Sequence, residues 1–419
     1  MDSVVLLHLL HTLAPRFEWR LSALHVHHGI SSNADSWVDF CSKLCERYSI
    51  PLHIERVDIA FLRNEHGIEA AARKLRHAAF AEQSCDFVTL AHHIDDQAET
   101  LLLQLLRGAG VKGVAAMPVL NMSKRPVIKS AVAHAPSIVR PLLDIPRATL
   151  LDHARQYGLD WIEDESNADD QYPRNFLRHR VLPLLEQRFP AYRETLARDA
   201  RHFAEAGELL DDLAQLDAQG LLRSEPLPLS LLRDLSPVRG KNLLRYFLHL
   251  NGAPMPQTVQ IDDMLRQLIE ARQDAAVCVE FGEWQVRRYR DQVHVMLALG
   301  DFDPDLVLAW QGESEMFWPA LNERVNFVTG VGQGISLAKV KCAPLTLHLR
   351  RGGEALRPHP AAATRSLKNL LQEHFILPWR RERIPLLYCG DELVSVIGVA
   401  VHADYQARES EESVLVSLE

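Results

Sequence analysis

Residues 91–100 read AHHIDDQAET: three carboxylates, two histidines and a glutamine within ten positions. On a helix Asp95 and Glu99 are four apart and Asp96 and Glu99 three apart, so all three acids share one side of the first turn. Carboxylates where a strand passes into a helix suit a Mg²⁺–phosphate site, in which one or two of them join phosphate oxygens around the ion. Asp95, Asp96 and Glu99 are therefore the candidate metal ligands. The same acids would also make an ordinary well-capped helix, because negative charge favours the positive end of the helix dipole. A metal phosphohydrolase using His25, His27, His92, Asp95 and Asp96 is a third reading of these residues.

Smaller groups accompany this one. Asp2 and Ser3 lead into the apolar run VVLLHLLHTL. They would start a helix whose free amides and dipole suit an anion, or they would simply cap it. His25, His27 and His28 end a strand-like stretch, with His25 and His27 on one face. They read as structural histidines, as metal ligands or as groups beside a nucleotide. Arg73 and Arg76 share a helix face and form either a solvated basic face or a guanidinium clamp on phosphate. Arg174, Arg178 and Arg180 form a basic run with His179 beside Phe176.

The elements that must position these residues alternate. A helix at 4–13 precedes a buried strand at 21–29 that ends in a glycine turn. Helices from Ser31 and across 67–83 then alternate with strands at 51–59 and 86–93, and a last helix stops at Gly108. This order predicts an α/β fold, a parallel sheet wrapped by helices. Residues 121–137 read as a loop. The chain is helical from about 186 to 250 and again after a break at 252–257. A hairpin follows at 277–297 with Gly282 near its turn, then strand and turn material from 300 to 340. Four segments result: 1–185, a catalytic α/β domain; 186–300, a mainly helical middle domain with a hairpin; 301–340, a linker with strands; and 341–419, a small α+β domain.

Composition sets the outer limits. A chain of 419 residues, 47% apolar and 24% charged, suits two or three soluble domains. The net charge of −9 and pI near 6.1 give no global field for nucleic acid, so any such contact must be local. Residues 340–383 supply one candidate, with nine Lys/Arg against three acids, a local +6. There Trp379 lies beside Arg380 and Arg381, suited to stacking plus phosphate contact, or else to a charged domain with Trp379 in its core. Arg287–Arg290 (RRYR) reads as the wet face of a strand or as a phosphate and base contact surface, the former favoured. Six cysteines without a dense framework suggest a reducing compartment, and no apolar run is long enough to span a membrane.

Four stretches together resemble tRNA(Ile)-lysidine synthases, members of the PP-loop ATP-pyrophosphatase family. They are 24–37 (LHVHHGISSNADSW), 68–80 (IEAAARKLRHAAF), 90–110 (LAHHIDDQAETLLLQLLRGAG) and 161–185 (WIEDESNADDQYPRNFLRHRVLPLL). RPLLDIPRATL (140–150) fits between the last two, and 357–387 resembles the family's C-terminal domain more loosely. The resemblance implies a Rossmann-like, adenine-nucleotide α-hydrolase-like catalytic domain followed by tRNA-binding domains.

It also implies a reaction: ATP adenylates the wobble cytidine of an isoleucine tRNA with a CAU anticodon at the carbonyl of carbon 2, and L-lysine displaces AMP to give lysidine. ATP and Mg²⁺ are the implied cofactors, the cytoplasm the implied location, and a homodimer one expected assembly. Carried over, Asp2, Arg73, Arg76, Asp95 and Asp96 are catalytic, and Asp2, Ser3, His25 and His27 bind ATP. Arg174, Arg178, Arg180, Arg357, Lys368, Arg380 and Arg381 bind tRNA. The family's phosphate loop is S-G-G-x-D-S, of which Met1-Asp2-Ser3 would be the last three positions. A chain beginning there is expected to leave two strand edges unpaired, to be poorly stable and to be barely active. Two alternatives are another PP-loop enzyme such as a tRNA thiolase, which the absence of a C-x-x-C pair disfavours, and a tRNA-binding protein without catalysis.

Overall fold

The structure is a computed structural model. It describes residues 1–31, 33–58, 68–122, 135–221, 223, 225–272, 275–341 and 343–419. The expected loop at 121–137 lies largely outside these residues. The chain divides into two compact units, Met1–Leu210 and Asp211–Glu419.

The first unit carries the expected alternation. In chain order it runs α1 (Asp2–Phe17), β1 (Ala23–His27), α2 (Ala34–Arg47), β2 (Leu52–Arg56), α3 (Ile68–Ala81), β3 (Phe87–Thr89), α4 (Ile94–Leu106), β4 (Leu120–Asn121), β5 (Ser137–Val139) and α5 (Arg147–Gln156). β1 pairs in parallel with β2, β3 pairs in parallel with β5, and β4 closes against β5 in antiparallel register. The described strands form two separate pieces, β1–β2 and β3–β5–β4. Among the described residues β1 pairs only with β2, and β3 only with β5. Strand β1 is consequently half-buried along its length, not buried as its apolar residues suggest.

Val4, Val5 and Leu6 of α1 pack on Leu142, Leu150, Ala154 and Leu159, which fixes α1 against α5. Each such side chain contributes roughly 1.5–3 kcal/mol by leaving water. Ala98 of α4 packs with Leu182 and Tyr192, and Leu101 with Val114 and Ala200. These contacts hold the start of α4 against helices Leu182–Arg188 and Tyr192–Ala218, the second of which extends into the other unit. Gly29, at φ +66°, makes the turn expected after β1.

In the second unit, helices Pro237–Leu250 and Thr258–Glu270 pack on a four-stranded antiparallel sheet around Leu243, Leu244, Phe247, Ile261, Met264 and Leu268. The expected hairpin is two-thirds of a meander: Cys278–Phe281, Trp284–Tyr289 and Gln292–Leu297, with Leu227–Pro228 on its edge.

Residues 301–340 are not a linker. Val307–Trp310 pairs with Leu345–His348 in a five-stranded sheet, and Glu323–Val331 pairs with Glu412–Leu418 in a four-stranded one. Both sheets bury a shared core that includes Trp318, Val325, Leu347 and Val414. The last domain thus starts near residue 307 and is mostly β, with one helix of note, Leu367–Glu373. Sequence reading separated 301–340 because strand partners lying far downstream, Val325 opposite Leu418 for one, leave no local signal. Among the described residues no helix is long and apolar enough to cross a membrane.

Candidate active site

The acidic group gathers where β3 runs into α4. The backbone N–H of His93 donates to Asp96 Oδ2 at 3.0 Å, so Asp96 caps the helix from its third position. Sequence proximity alone would leave three adjacent anions repelling one another. The structure resolves this with arginines drawn from distant segments.

Glu99 is 1% exposed. Its carboxylate accepts from Arg174 Nε at 2.6 Å and from Arg178 Nε and Nη2 at 2.7 and 2.9 Å. Arg174 Nη2 also donates to Asp96 Oδ1 at 2.6 Å. Asp95 accepts from Arg193 Nε at 2.5 Å and from the Arg147 backbone N–H at 2.9 Å. Arg193 continues to Glu186 at 2.7 Å. Burial alone would raise the Asp95 pKa, but these bonds and the Arg193 charge outweigh it and hold the carboxyl below its ordinary value. Burial opposes the charge on Arg178, yet the Glu99 contacts raise its pKa overall.

Asp2 enters the same cluster from the N-terminus of α1. Its Oδ1 lies 3.9 Å from both His93 Nε2 and Arg147 Nε, and it is buried without a hydrogen-bond partner. The His93 ring, 3% exposed, sits among all three aspartates: 3.6 Å from Asp95 and 3.4 Å from Asp96. A cleft of about 160 Å³ opens here, lined among others by His93, Asp95, Glu99, Arg147, Arg178 and Arg193.

A basic group lies alongside. Arg140 is buried, donating from Nε to His92 Nδ1 at 3.2 Å and from Nη1 to the Pro118 carbonyl at 2.9 Å. Burial, opposed by the Asp96 carboxylate and aided by Arg140, Arg174 and Arg73, lowers the His92 pKa to about 4, so the ring is neutral at pH 7. Arg76 reaches His28 Nε2 at 3.3 Å; burial and this guanidinium bring the His28 pKa to about 4. His25 contacts Cys41 Sγ at 3.6 Å, and His27 lies 3.3 Å from Asp35. Arg76 and the β1 histidines are thus grouped with one another, and Arg73 acts on His92 and Arg140. Ser3 is exposed at the start of α1.

Several expectations need correction. Among the described residues no group of three or more His, Cys, Asp or Glu could hold a metal ion. Asp95, Asp96 and Glu99 each face a guanidinium group, so they do not by themselves form a three-carboxylate cage. Glu99 in particular has both oxygens taken by arginine. Arg174 and Arg178 do not line a basic outer surface. Residues 173–181 stay helical through a wider π turn, which puts positions 174 and 178 on the face toward α4.

Arg180 pairs with Asp170 at 2.8 Å and Arg357 with Asp404 at 2.7 Å, while Lys368 is exposed. Arg380 is locked to Glu323 by two bonds of 2.6 Å. That pair ties Arg380 to strand Glu323–Val331 within the last domain. Arg381 donates to the Ile376 carbonyl at 2.8 Å and to Tyr289 Oη at 3.1 Å.

Sequence reading missed His93, Arg140, Arg147 and Arg193 as site residues. Arg140 and Arg147 flank the stretch RPLLDIPR and could have been found there. Arg193 stands 98 positions from Asp95 in a plain helical segment and left no signal.

Comparison with known proteins gives the family. The PP-loop domain model matches residues 1–185, the TilS substrate-binding domain model 227–294 and the TilS substrate C-terminal domain model 345–418. The tRNA(Ile)-lysidine synthase of Nitrosomonas europaea is 41% identical over 100% of this chain and 89% of its own length. That of Coxiella burnetii is 36% identical over 98% and 89%, and that of Salmonella typhimurium 37% over 98% and 93%. With three domain models in order and relatives matched along its whole length, the chain belongs to the tRNA(Ile)-lysidine synthase family.

Proposed function

We propose that this chain joins L-lysine to carbon 2 of the wobble cytidine in the CAU anticodon of isoleucine tRNA, using MgATP. In the first step the carbon-2 carbonyl oxygen attacks the α-phosphorus of ATP and pyrophosphate leaves. In the second, the side-chain amine of lysine attacks carbon 2, the carbon–oxygen bond breaks, AMP leaves with that oxygen, and the amine gives up a proton. A carbonyl of this kind is a poor electrophile, and adenylation supplies the leaving group it lacks. The protein's task is positioning and charge.

The observation that carries this reading is the pairing of two charge groups at the carboxyl end of β3. The acidic one (Asp2, Asp95, Asp96) suits the lysine ammonium, and the orphaned Asp2 Oδ1 is its open acceptor. The basic one (Arg73 and Arg140 with neutral His92) suits phosphate oxygens, and Arg76, beside His28, is a further candidate for them. The N-terminus of α1 with Asp2 and Ser3, and His25 and His27 at the end of β1, fall to the nucleotide. Mg²⁺ enters with the phosphates of ATP. The cytoplasm is the setting we infer, with five of the cysteines free, and sedimentation would separate monomer from homodimer.

Asp96→Asn tests the assignment. We expect loss of lysine transfer with the far-UV spectrum retained. Unchanged transfer would remove Asp96 from the site.

A further inference from the structure

Helix Leu367–Glu373 ends in a Schellman motif. The Ile376 N–H donates to the Leu371 carbonyl at 2.9 Å and the Phe375 N–H to the Gln372 carbonyl at 3.2 Å. The left-handed position between them usually takes glycine, but here it is Phe375, at φ +56°. A phenylalanine held there would normally be explained by burial, yet this side chain is 69% exposed. Its ring is met by a guanidinium: Arg290 lies 5.4 Å from its centroid. Arg290 is also left-handed, at φ +55° in the turn between two meander strands, and lies 5.3 Å from the Tyr289 ring. Arg381 lies 5.9 Å from the same Tyr289 ring and bonds its hydroxyl.

Phe375, Arg290, Tyr289 and Arg381 therefore form a run of alternating rings and guanidinium groups ending on an open ring. Among the described residues neither Arg290 nor Arg381 is paired with a carboxylate. An open aromatic face with unneutralised cations behind it matches a flat, electron-rich ring attached to an anion. A nucleotide offers both, but only when its base is unpaired, because a duplex keeps base faces stacked inside.

We propose that Phe375 and Arg290 form a stacking site for an unpaired RNA nucleotide, with Arg381 beside its phosphate. The site deepens the RNA-modifying reading above and rests on it. A protein partner docking on Phe375 is the competing occupant.

The test uses the full chain and a short single-stranded RNA carrying 2-aminopurine, with no CAU sequence, so that its outcome is independent of lysidine formation. A blunt duplex of the same sequence is the comparison. The wild type should bind the single strand and quench its fluorescence. Phe375→Leu, which keeps apolar bulk but loses the flat ring, should weaken single-strand binding about tenfold, in line with the worth of one stacked base. Phe375→Trp should restore it, and duplex binding should stay within twofold throughout. Phe375→Gly, free of the left-handed strain, should melt no lower than wild type and still bind the single strand about tenfold more weakly. The proposal is overturned if the wild type does not bind the single strand, if Phe375→Leu binds it as wild type does, or if single-strand and duplex binding fall together.

Discussion

Replacing Glu99 by Gln asks whether the arginine–carboxylate lattice holds the catalytic domain together. The substitution keeps shape and one carbonyl oxygen. It removes the charge and turns a hydrogen-bond donor toward a guanidinium that needs an acceptor. Three bonds of 2.6–2.9 Å converge on Glu99 from two arginines, and a bond to a charged group is worth about 1.5–3 kcal/mol net. The amide oxygen can keep the bonds on one side. Arg174 and Arg178, 27% and 33% exposed at the side chain, can recover part of the rest from water.

The expected cost is about 2–3 kcal/mol, on the order of a 30- to 150-fold shift toward unfolding. Amide hydrogen exchange in peptides covering α4 isolates this domain from the second unit, which a whole-chain melt would not. A double-mutant cycle with Arg178→Gln completes the assay: in the Glu99→Gln background the second change should cost little. A loss below about 0.5 kcal/mol, typical of a surface change, or additivity of the two substitutions, would refute the lattice.

Further expectations follow from the same geometry. The folded-state pKa of His92 and His28 is about 4, below the unfolded value near 6.5. The unfolded chain therefore takes up protons between those values that the fold resists, so this stability is complete above about pH 6.5 and is lost as pH falls toward 4. It amounts to at most about 3 kcal/mol for His92; His92→Gln should flatten exchange-derived stability across that window. The depressed Asp95 carboxyl acts at lower pH, its contribution persisting until pH drops through its folded pKa. Arg380→Ala should lower the melting temperature of the second unit by breaking the Glu323 pair, while leaving the salt slope of tRNA binding unchanged. Gly334→Ala should unfold the last domain more readily, by about 2 kcal/mol or more, because its φ is +90° and a Cβ would sit 2.5 Å from the Val414 carbonyl oxygen; a urea melt reads it.

What the chain showed in advance depended on distance along it. The alternation through residue 110 gave the parallel α/β domain, because each strand–helix unit writes its own period locally. The Asp95–Asp96–Glu99 cluster was visible for the same reason. Its partners were not. Arg174 and Arg178 looked like a basic run when read by adjacency, and only their spacing of four on a helical face turns both toward Glu99. Arg193 and Glu323 carry nothing in their neighbourhoods that names Asp95 or Arg380. The β-rich end of the chain was divided wrongly for this reason too, since strand 323–331 finds its partner at 412–418.

The central claim is lysine transfer to cytidine, and the most direct measurement is nucleoside mass spectrometry of an isoleucine tRNA transcript with a CAU anticodon, after incubation with this protein, MgATP and L-lysine. Presence of product, rather than rate, is the readout. The account predicts one cytidine heavier by a lysyl group, absent when lysine or ATP is omitted and absent with Asp96→Asn. A transcript that stays unmodified, or a modification that forms without lysine, would contradict it.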